Sequence, residues 1–459
     1  MIDFKGQNVL VLGAGTSGVA AAKLLIKLGA KVTIFDEKSQ GELSQAQEAL
    51  RGSKVLWNVM GDAPLELNTF SALVTSPGVP LTHFLIKKAN TLKLPVIGEL
   101  ELGWRNQNLA ISAVTGSNGK TTVASLTDHI LSKQNYRNFL GGNIGNPFCN
   151  CALELMEKKE AYQTAVLEVS SFQLETVSHF HAKGAAFLNL SFDHLDRHGD
   201  MEQYLRLKNR IFINQSPEDM AIINLDAHTL YGELKARTFG FSRKKRPDFG
   251  AYVNNSTGSE LIQVVEGDRV LAEGNFKDYL MFGTHNQENL MAAVGLAMSL
   301  GVNPQAALLA AKDFSVAGHR LQLVGSYKGV SYYDDSKATN VGAVVVALEN
   351  FGAKSVILIA GGRDKDMDFR PLIEPVKEKV RWLVLIGEAK EKLQGLLAGA
   401  APMTLASGMK EAVSVASSFA RPGDTVLLSP ACASFDQFSS YKQRGEVFQK
   451  EVKRQNGEL

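Results

Sequence analysis

Cysteine is scarce in this 459-residue sequence, which holds three: Cys149, Cys151 and Cys432. Three thiols cannot make a metal set by themselves, and an odd, sparse count suits a reducing compartment. An excess of charge is missing too. Lys and Arg number 49 against 47 Asp and Glu, a net charge of +2, which argues against a nucleic-acid or polyanion surface as the main business. The one basic run, Arg243-Lys244-Lys245-Arg246 before Pro247, reads as a solvated loop. No apolar stretch is long enough to span a bilayer, and the N-terminus runs into a strand with no signal-peptide pattern. A cytoplasmic protein with no membrane insertion and no nucleic-acid partner is expected. Internal repeats and low-complexity linkers are absent as well. What is present is an ordinary globular composition, 45% hydrophobic and 21% charged. The chain is too long for one core, and the prior is about three domains.

The strongest local signal is Thr115-Gly116-Ser117-Asn118-Gly119-Lys120-Thr121-Thr122. It follows an apolar run, Leu109 to Val114, that reads as a buried parallel strand, and it opens a helically spaced run from Val123 to Leu131. Strand, glycine turn and helix form a phosphate cradle. Turn N–H groups and the positive end of the helix dipole face an anion, Lys120 adds a mobile charge, and Thr121 offers a hydroxyl to Mg2+. Val114 stands where the usual pattern has its first glycine, so this is a shortened loop. A nucleoside triphosphate is the expected ligand.

Toward the N-terminus, a strand at Asn8 to Leu12 leads into Gly13-Ala14-Gly15-Thr16-Ser17-Gly18 and a helix to about Leu28; a strand at Lys31 to Phe35 then ends at Asp36. The text of this fingerprint says NAD. Its physics says a helix N-terminus that accepts a pyrophosphate or another anion, with a carboxylate placed for a ribose or base. Strands at Lys54 to Trp57, Ser71 to Thr75 and Leu94 to Ile97 complete a small parallel sheet, with Ser76-Pro77-Gly78-Val79 as a turn at one carboxyl end.

Beyond the phosphate loop come a glycine-dense loop at Gly141 to Pro147 and an apolar strand, Thr164 to Val169, carrying Glu168 near its end. A carboxylate at that position is the usual place for an Mg2+ ligand, because a hard cation takes oxygen ligands beside the phosphates. A strand at Ala185 to Leu190 runs into Asp193-His194-Leu195-Asp196-Arg197-His198, which suits metal ligands, acid/base groups or a polar loop. Lys208 lies in a helical stretch from Met201 to Ile213 and reads by itself as a solvated charge. Asp219 to Asn224 is a further strand, Arg237 to Gly274 looks like short hairpins, and His285 to Asn289 caps a helix ending near Leu300. From about Ser315 a third α/β unit is expected, with strands at Leu321 to Ser326, Val330 to Tyr333, Ser355 to Ala360, Trp382 to Ile386 and Thr425 to Leu428. Its notable loops are Gly318-His319-Arg320, Asp334 to Asn340, Gly361 to Asp366 and Ser429 to Phe438.

Taken in order, TGSNGKTT, GGNIGNP, LEVSSFQLE, DHLDRH, HNQEN, GHR, DDSKATN and LSPACASFDQF resemble the Mur ligase family, the ATP-dependent amino-acid ligases of peptidoglycan precursor synthesis. The resemblance covers essentially the whole chain, and LEVSSFQLE and SPACASFDQF point to the branch that adds D-glutamate. It implies an α/β chain of three domains: a Rossmann-like UDP-substrate domain at 1–98, a P-loop ATPase-type central domain at 99–314 and a Rossmann-like amino-acid domain at 315–459. The implied reaction joins D-glutamate to UDP-N-acetylmuramoyl-L-alanine through an acyl phosphate, using ATP and Mg2+, in a cytoplasmic monomer.

The resemblance also assigns residues. Gly15, Thr16, Ser17, Ser76, Gly78 and Asn143 would hold the UDP substrate, with Asp36 near uracil. ATP would meet Gly116, Ser117, Asn118, Gly119, Lys120, Thr121 and Thr122, with Asn286 and Asn289 by the adenine and Arg320 and Asp335 by the phosphates and ribose. Thr121, Glu168, His194 and Lys208 would serve the metal, Lys208 as a carbamate, and Lys120, His194 and Lys208 would be catalytic. D-Glutamate would be held by Lys337, Thr339, Ser434 and Tyr441, the last standing where phenylalanine is familiar. Competing readings are a Mur-type ligase for another amino acid, an NAD-dependent dehydrogenase and a non-catalytic UDP-sugar-binding protein.

Overall fold

Short runs of Val, Ile and Leu become strands here because helices cover both faces of the sheets they join. The computed structural model describes residues 3–59, 65–227, 229–256, 258–281, 283–315, 318–364 and 367–458. The first sheet takes β1 (Asn8–Leu12), β2 (Lys31–Phe35), β3 (Val55–Asn58), β4 (Ala72–Thr75) and β5 (Val96–Gly98). Its order is β3-β2-β1-β4-β5, all parallel, and the order reverses between β1 and β4. Ligands in open parallel sheets bind at such a switch point.

The second sheet takes β6 (Ala110–Thr115), β7 (Asn138–Gly142), β8 (Thr164–Glu168), β9 (Gly184–Phe187), β10 (Met220–Asn224), β11 (Arg237–Ser242), β12 (Phe249–Asn254), β13 (Leu261–Glu266) and β14 (Arg269–Asn275). The order is β14-β13-β12-β11-β10-β9-β6-β8-β7. The segment expected as short hairpins is only partly that. β11 pairs in parallel with β10 and β12, and only β12–β13–β14 is an antiparallel meander. β11 and β12 approach closely at a glycine pair: Gly250 sits opposite Gly240 at φ +152°, where a Cβ would fall 1.7 Å from the Gly240 carbonyl oxygen. The start of the glycine-dense loop is likewise strand, in β7.

Helices Glu99–Arg105 and Phe148–Glu157 pack against the first sheet's helix Thr16–Lys27, so that Leu102, Cys149 and Ala152 share a core with Val9, Val11 and Ala21. Both sheets therefore fall in one compact unit, Met1–Leu190, Leu195–Asp278 and Glu288–Lys312. Glu99 is sealed at this junction. Its Oε1 accepts the Cys149 amide at 2.6 Å, its Oε2 has no hydrogen-bond partner among the described residues, and burial pushes its carboxyl up to about 7.

A raised folded-state value costs nothing while both states are protonated. The cost grows as pH climbs from the unfolded value of about 4.5 through 7, and at about 1.4 kcal/mol per unit it reaches about 3 kcal/mol. Glu99→Gln, which keeps the oxygen facing the Cys149 amide, should therefore gain stability relative to the parent as pH rises from 5 to 8 in urea unfolding. Parallel curves would contradict this.

The second unit, Ser191–His194, Tyr279–Gln287 and Asp313–Leu459, is built on β15 (Gln322–Tyr327), β16 (Val330–Asp334), β17 (Val356–Gly361), β18 (Val380–Ile386), β19 (Met403–Leu405) and β20 (Thr425–Leu428). The order is β15-β16-β20-β17-β18-β19, parallel except for β15. Alternation splits β17 between two cores: Leu358 and Ala360 face one, Ile357 and Ile359 the other. Among the described residues no helix is long and apolar enough to cross a membrane.

Candidate active site

The expected phosphate cradle forms between β6 and the helix Lys120–Lys133. Gly116 and Gly119 adopt φ +154° and +85°, and a Cβ on Gly119 would lie 2.5 Å from Oδ1 of Asn289 in the helix Thr284–Ser299, so only glycine lets the loop close against that second helix. Asn189 clamps the loop. Its Oδ1 accepts the Asn118 amide at 2.9 Å, its Nδ2 donates to the Asn118 carbonyl at 3.2 Å, and its own carbonyl accepts the Ser117 amide at 3.0 Å. The sequence reading passed over Asn189 as part of a strand; its signal was a polar side chain closing an apolar run. The Lys120 ammonium donates to the carbonyls of Gly116 and Ser117 at 2.8 and 2.9 Å. Thr122 is buried.

Thr121 Oγ1 donates to Glu168 Oε2 at 2.7 Å, and Asn143 Nδ2 donates to Oε1 at 2.8 Å. The structure thus brings Thr121 and Glu168 together and adds Asn143, which was expected at the UDP substrate. Among the described residues no three carboxylate, histidine or cysteine side chains converge as a ready-made metal cage. A hydroxyl and one carboxylate beside a phosphate loop nevertheless fit Mg2+, which takes few protein ligands and completes its shell with phosphate and water. Lys208 is not the solvated charge that its helix suggested. It is 1% exposed, donates to the Gly116 carbonyl at 2.9 Å and lies 4.6 Å over the Tyr204 ring. His194 sits at φ +55°, beside Asp193 at 3.6 Å, and belongs to the second unit, whereas Thr121, Glu168 and Lys208 belong to the first.

At the first sheet's switch point Gly13 turns at φ +93°, and Gly18 is required because a Cβ there would lie 1.8 Å from the Gly13 carbonyl oxygen. Gly15 caps the helix that Thr16 and Ser17 open. Ser76 Oγ donates to the Gly13 carbonyl at 3.1 Å, while Gly78 is exposed. Both Asp36 oxygens accept backbone amides, Ala14 at 2.7 Å and Lys38 at 3.0 Å. The carboxylate thus braces the glycine turn itself.

In the second unit Asp335 is buried, accepts Ser429 Oγ at 2.7 Å and the Leu321 amide at 3.2 Å, and is pushed up to about 7 by burial. Arg320 precedes Leu321 at the start of the loop into β15. Asn286 is buried in the helix Thr284–Ser299, and Asn289 lies three residues on, on the same helix face. The Lys337 ammonium lies 3.9 Å over the Tyr441 ring, and Ser336 Oγ donates to the Tyr441 carbonyl at 2.8 Å. Ser434 is buried and Thr339 half-buried nearby in sequence to these loops.

Arg444, which sequence reasoning missed, knits the same loops together: fully buried, it donates to Ser336 Oγ and the carbonyls of Ser336, Cys432 and Ala433. Burial pulls its guanidinium down to about 10. Its signal was an arginine in phase, at i, i+4 and i+8, with buried Phe448 and Val452. Residues Lys365 and Asp366 of the Gly361 loop lie outside the described residues.

A glycine turn on each of two sheets, one with a lysine, a threonine and a facing strand-end carboxylate, defines a phosphate-loop α/β protein. The chain matches the Mur ligase MurD-like N-terminal domain over residues 7–98, the Mur ligase middle domain over 114–297 and the Mur ligase glutamate ligase domain over 319–432. It is 40% identical to the UDP-N-acetylmuramoylalanine--D-glutamate ligase of Syntrophus aciditrophicus, over 98% of this chain and 99% of that one. The protein of the same name from Geobacter metallireducens is 38% identical over 98% of each chain. Among solved structures, the MurF ligase of Thermotoga maritima in complex with ADP superposes with a TM-score of 0.62 at 17% identity, covering 93% of this chain and 96% of that one. The UDP-N-acetylmuramate-alanine ligase MurC of the same organism gives 0.57 at 18%, covering 98% and 100%. These two likenesses concern the fold alone. The chain belongs to the Mur ligase family.

Proposed function

We infer that the chain is the ligase that adds D-glutamate to UDP-N-acetylmuramoyl-L-alanine in peptidoglycan precursor synthesis, with ATP as phosphoryl donor. The observation that carries this is identity of about 40% to proteins of that name across nearly the full length of both chains, together with the Lys120–Thr121–Glu168 cluster. The proposed domains are 1–98 for the UDP substrate, 99–314 for ATP and 315–459 for the amino acid, in a cytoplasmic monomer.

The two substrates are ions that do not react unaided. A carboxylate resists nucleophiles, and it also repels the phosphate it must attack, by about 4 kcal/mol at 4 Å and an effective dielectric of about 20. Lys120 leaves the Gly116 and Ser117 carbonyls for the phosphates and offsets that repulsion as the alanyl carboxylate oxygen bonds to the γ-phosphorus and ADP departs. Thr121 and Glu168 would hold Mg2+, which supplies charge neutralisation at the phosphates when bound. The deprotonated amine of D-glutamate then attacks the acyl carbon, and phosphate leaves carrying one former carboxylate oxygen.

His194 is assigned to the metal side of this reaction, Asn286 and Asn289 to adenine, and Arg320 and Asp335 to phosphate and ribose. The turn residues Gly15, Thr16, Ser17, Ser76 and Gly78, with Asp36 bracing the turn, are assigned to the UDP substrate. Lys337, Thr339, Ser434 and Tyr441 are assigned to D-glutamate. Phosphate release should require UDP-N-acetylmuramoyl-L-alanine, D-glutamate, ATP and Mg2+ together; turnover with L-lysine in place of D-glutamate would overturn the assignment.

A further inference from the structure

One carboxylate, Glu175, serves two loops that carry ligand-facing turns, and nothing in the reaction uses it. It ends LEVSSFQLE just past the short helix Ser171–Leu174 and is nearly buried. Arg197 grips it through Nε at 3.0 Å and Nη2 at 2.5 Å, with 12% of the arginine side chain and 7% of the glutamate exposed. The same guanidinium lies 4.4 Å over the Phe172 ring and donates to the carbonyls of Gly78 at 3.3 Å and Val79 at 3.0 Å. Those carbonyls belong to the loop after β4, whose Ser76 hydroxyl bonds the Gly13 carbonyl.

The Oε1 that takes the Arg197 Nε also faces His198 Nδ1 at 3.6 Å. The His198 Nε2 pairs with Ser171 Oγ at 2.9 Å, and its ring stacks on Tyr204, whose hydroxyl lies 3.4 Å from Ser117 Oγ in the phosphate loop.

We propose that Arg197 is a positioning residue for the nucleotide-sugar subsite, holding the Ser76–Val79 loop in its binding shape from Glu175, while His198 positions the phosphate loop from the same carboxylate. The proposal deepens the ligase reading and rests on it for the ligand. The geometry is specific to arginine. A planar fork reaches two carbonyls and a carboxylate at once while stacking on a ring, which a lysine ammonium cannot do.

The two neighbours should therefore fail differently. Arg197→Met should raise the KM for UDP-N-acetylmuramoyl-L-alanine by about tenfold and the KM for ATP by less than about twofold; His198→Ala should do the reverse; Glu175→Gln should raise both. Arg197→Lys should fall between parent and Arg197→Met in its nucleotide-sugar KM. Equal changes in both KM values for Arg197→Met, or none, would overturn the proposal. Hydrogen exchange of the unliganded protein reads the same claim without any ligand. In Arg197→Met the Val79 amide, bonded to the Ser76 carbonyl at 3.1 Å, should exchange about tenfold faster, with the amides of β6 unchanged. Unchanged exchange at Val79 would refute the strut even if the enzyme proved to take another nucleotide sugar.

Discussion

Lys120→Ala should lower ADP formation by about 10²–10³-fold while leaving the fold intact, because it removes the one mobile cation of the phosphate loop. The ammonium donates to the Gly116 and Ser117 carbonyls of its own loop, at 2.8 and 2.9 Å. Truncating the side chain leaves the Gly116 carbonyl its second donor, the Lys208 ammonium at 2.9 Å, so thermal stability should change little. What is lost is charge at the γ-phosphate as the alanyl carboxylate approaches. The loss should fall on kcat and on trapped acyl phosphate alike. Near-parental turnover in this variant would show that the loop binds something other than the reacting phosphates.

Lys208→Ala should be nearly as damaging and, unlike Lys120→Ala, partly reversible by added small carboxylates. A lysine 1% exposed beside a backbone carbonyl and over an aromatic face is a buried cation next to a loop meant to bring Mg2+ and phosphates together. Reaction of its neutral amine with carbon dioxide forms an N–C bond, releases a proton and replaces that cation with a carbamate anion. Acetate or formate diffusing into the space left by Lys208→Ala should restore part of the lost rate, and 13C-labelled bicarbonate should give a carbamate resonance in the unliganded parent that the variant lacks. No rescue and no resonance would show that Lys208 acts as an ammonium.

The sheets were legible in the sequence wherever an apolar run was bounded by glycine or a small polar residue. Asn8–Leu12, Lys31–Phe35 and Thr425–Leu428 form over the expected bounds, because a fully buried parallel strand carries its signal in consecutive residues. Pairing direction was not legible. Whether Arg237–Ser242 joins its neighbours in parallel or as a hairpin is set by long-range pairing with β10 and β12, which no local pattern encodes.

The site divides in the same way. Gly116, Gly119, Lys120 and Thr121 form one contiguous turn whose residue types state their purpose. Glu168 was legible from its place at the end of an apolar strand, and its 2.7 Å contact with Thr121 joins it to that turn. Asn189, Arg197 and Arg444 act through long-range contacts to loop carbonyls and looked like ordinary polar residues. Lys208 read from its own helix alone is a solvated charge, and only the packing of Tyr204 and the phosphate loop around it makes it buried.

The central claim is that the alanyl carboxylate is activated by phosphoryl transfer before the amine of D-glutamate attacks. It is tested most directly by running the reaction with UDP-N-acetylmuramoyl-L-alanine carrying 18O in both carboxylate oxygens. One labelled oxygen should appear in the released inorganic phosphate and one in the new amide, with none in ADP. Inorganic phosphate free of label would contradict the account.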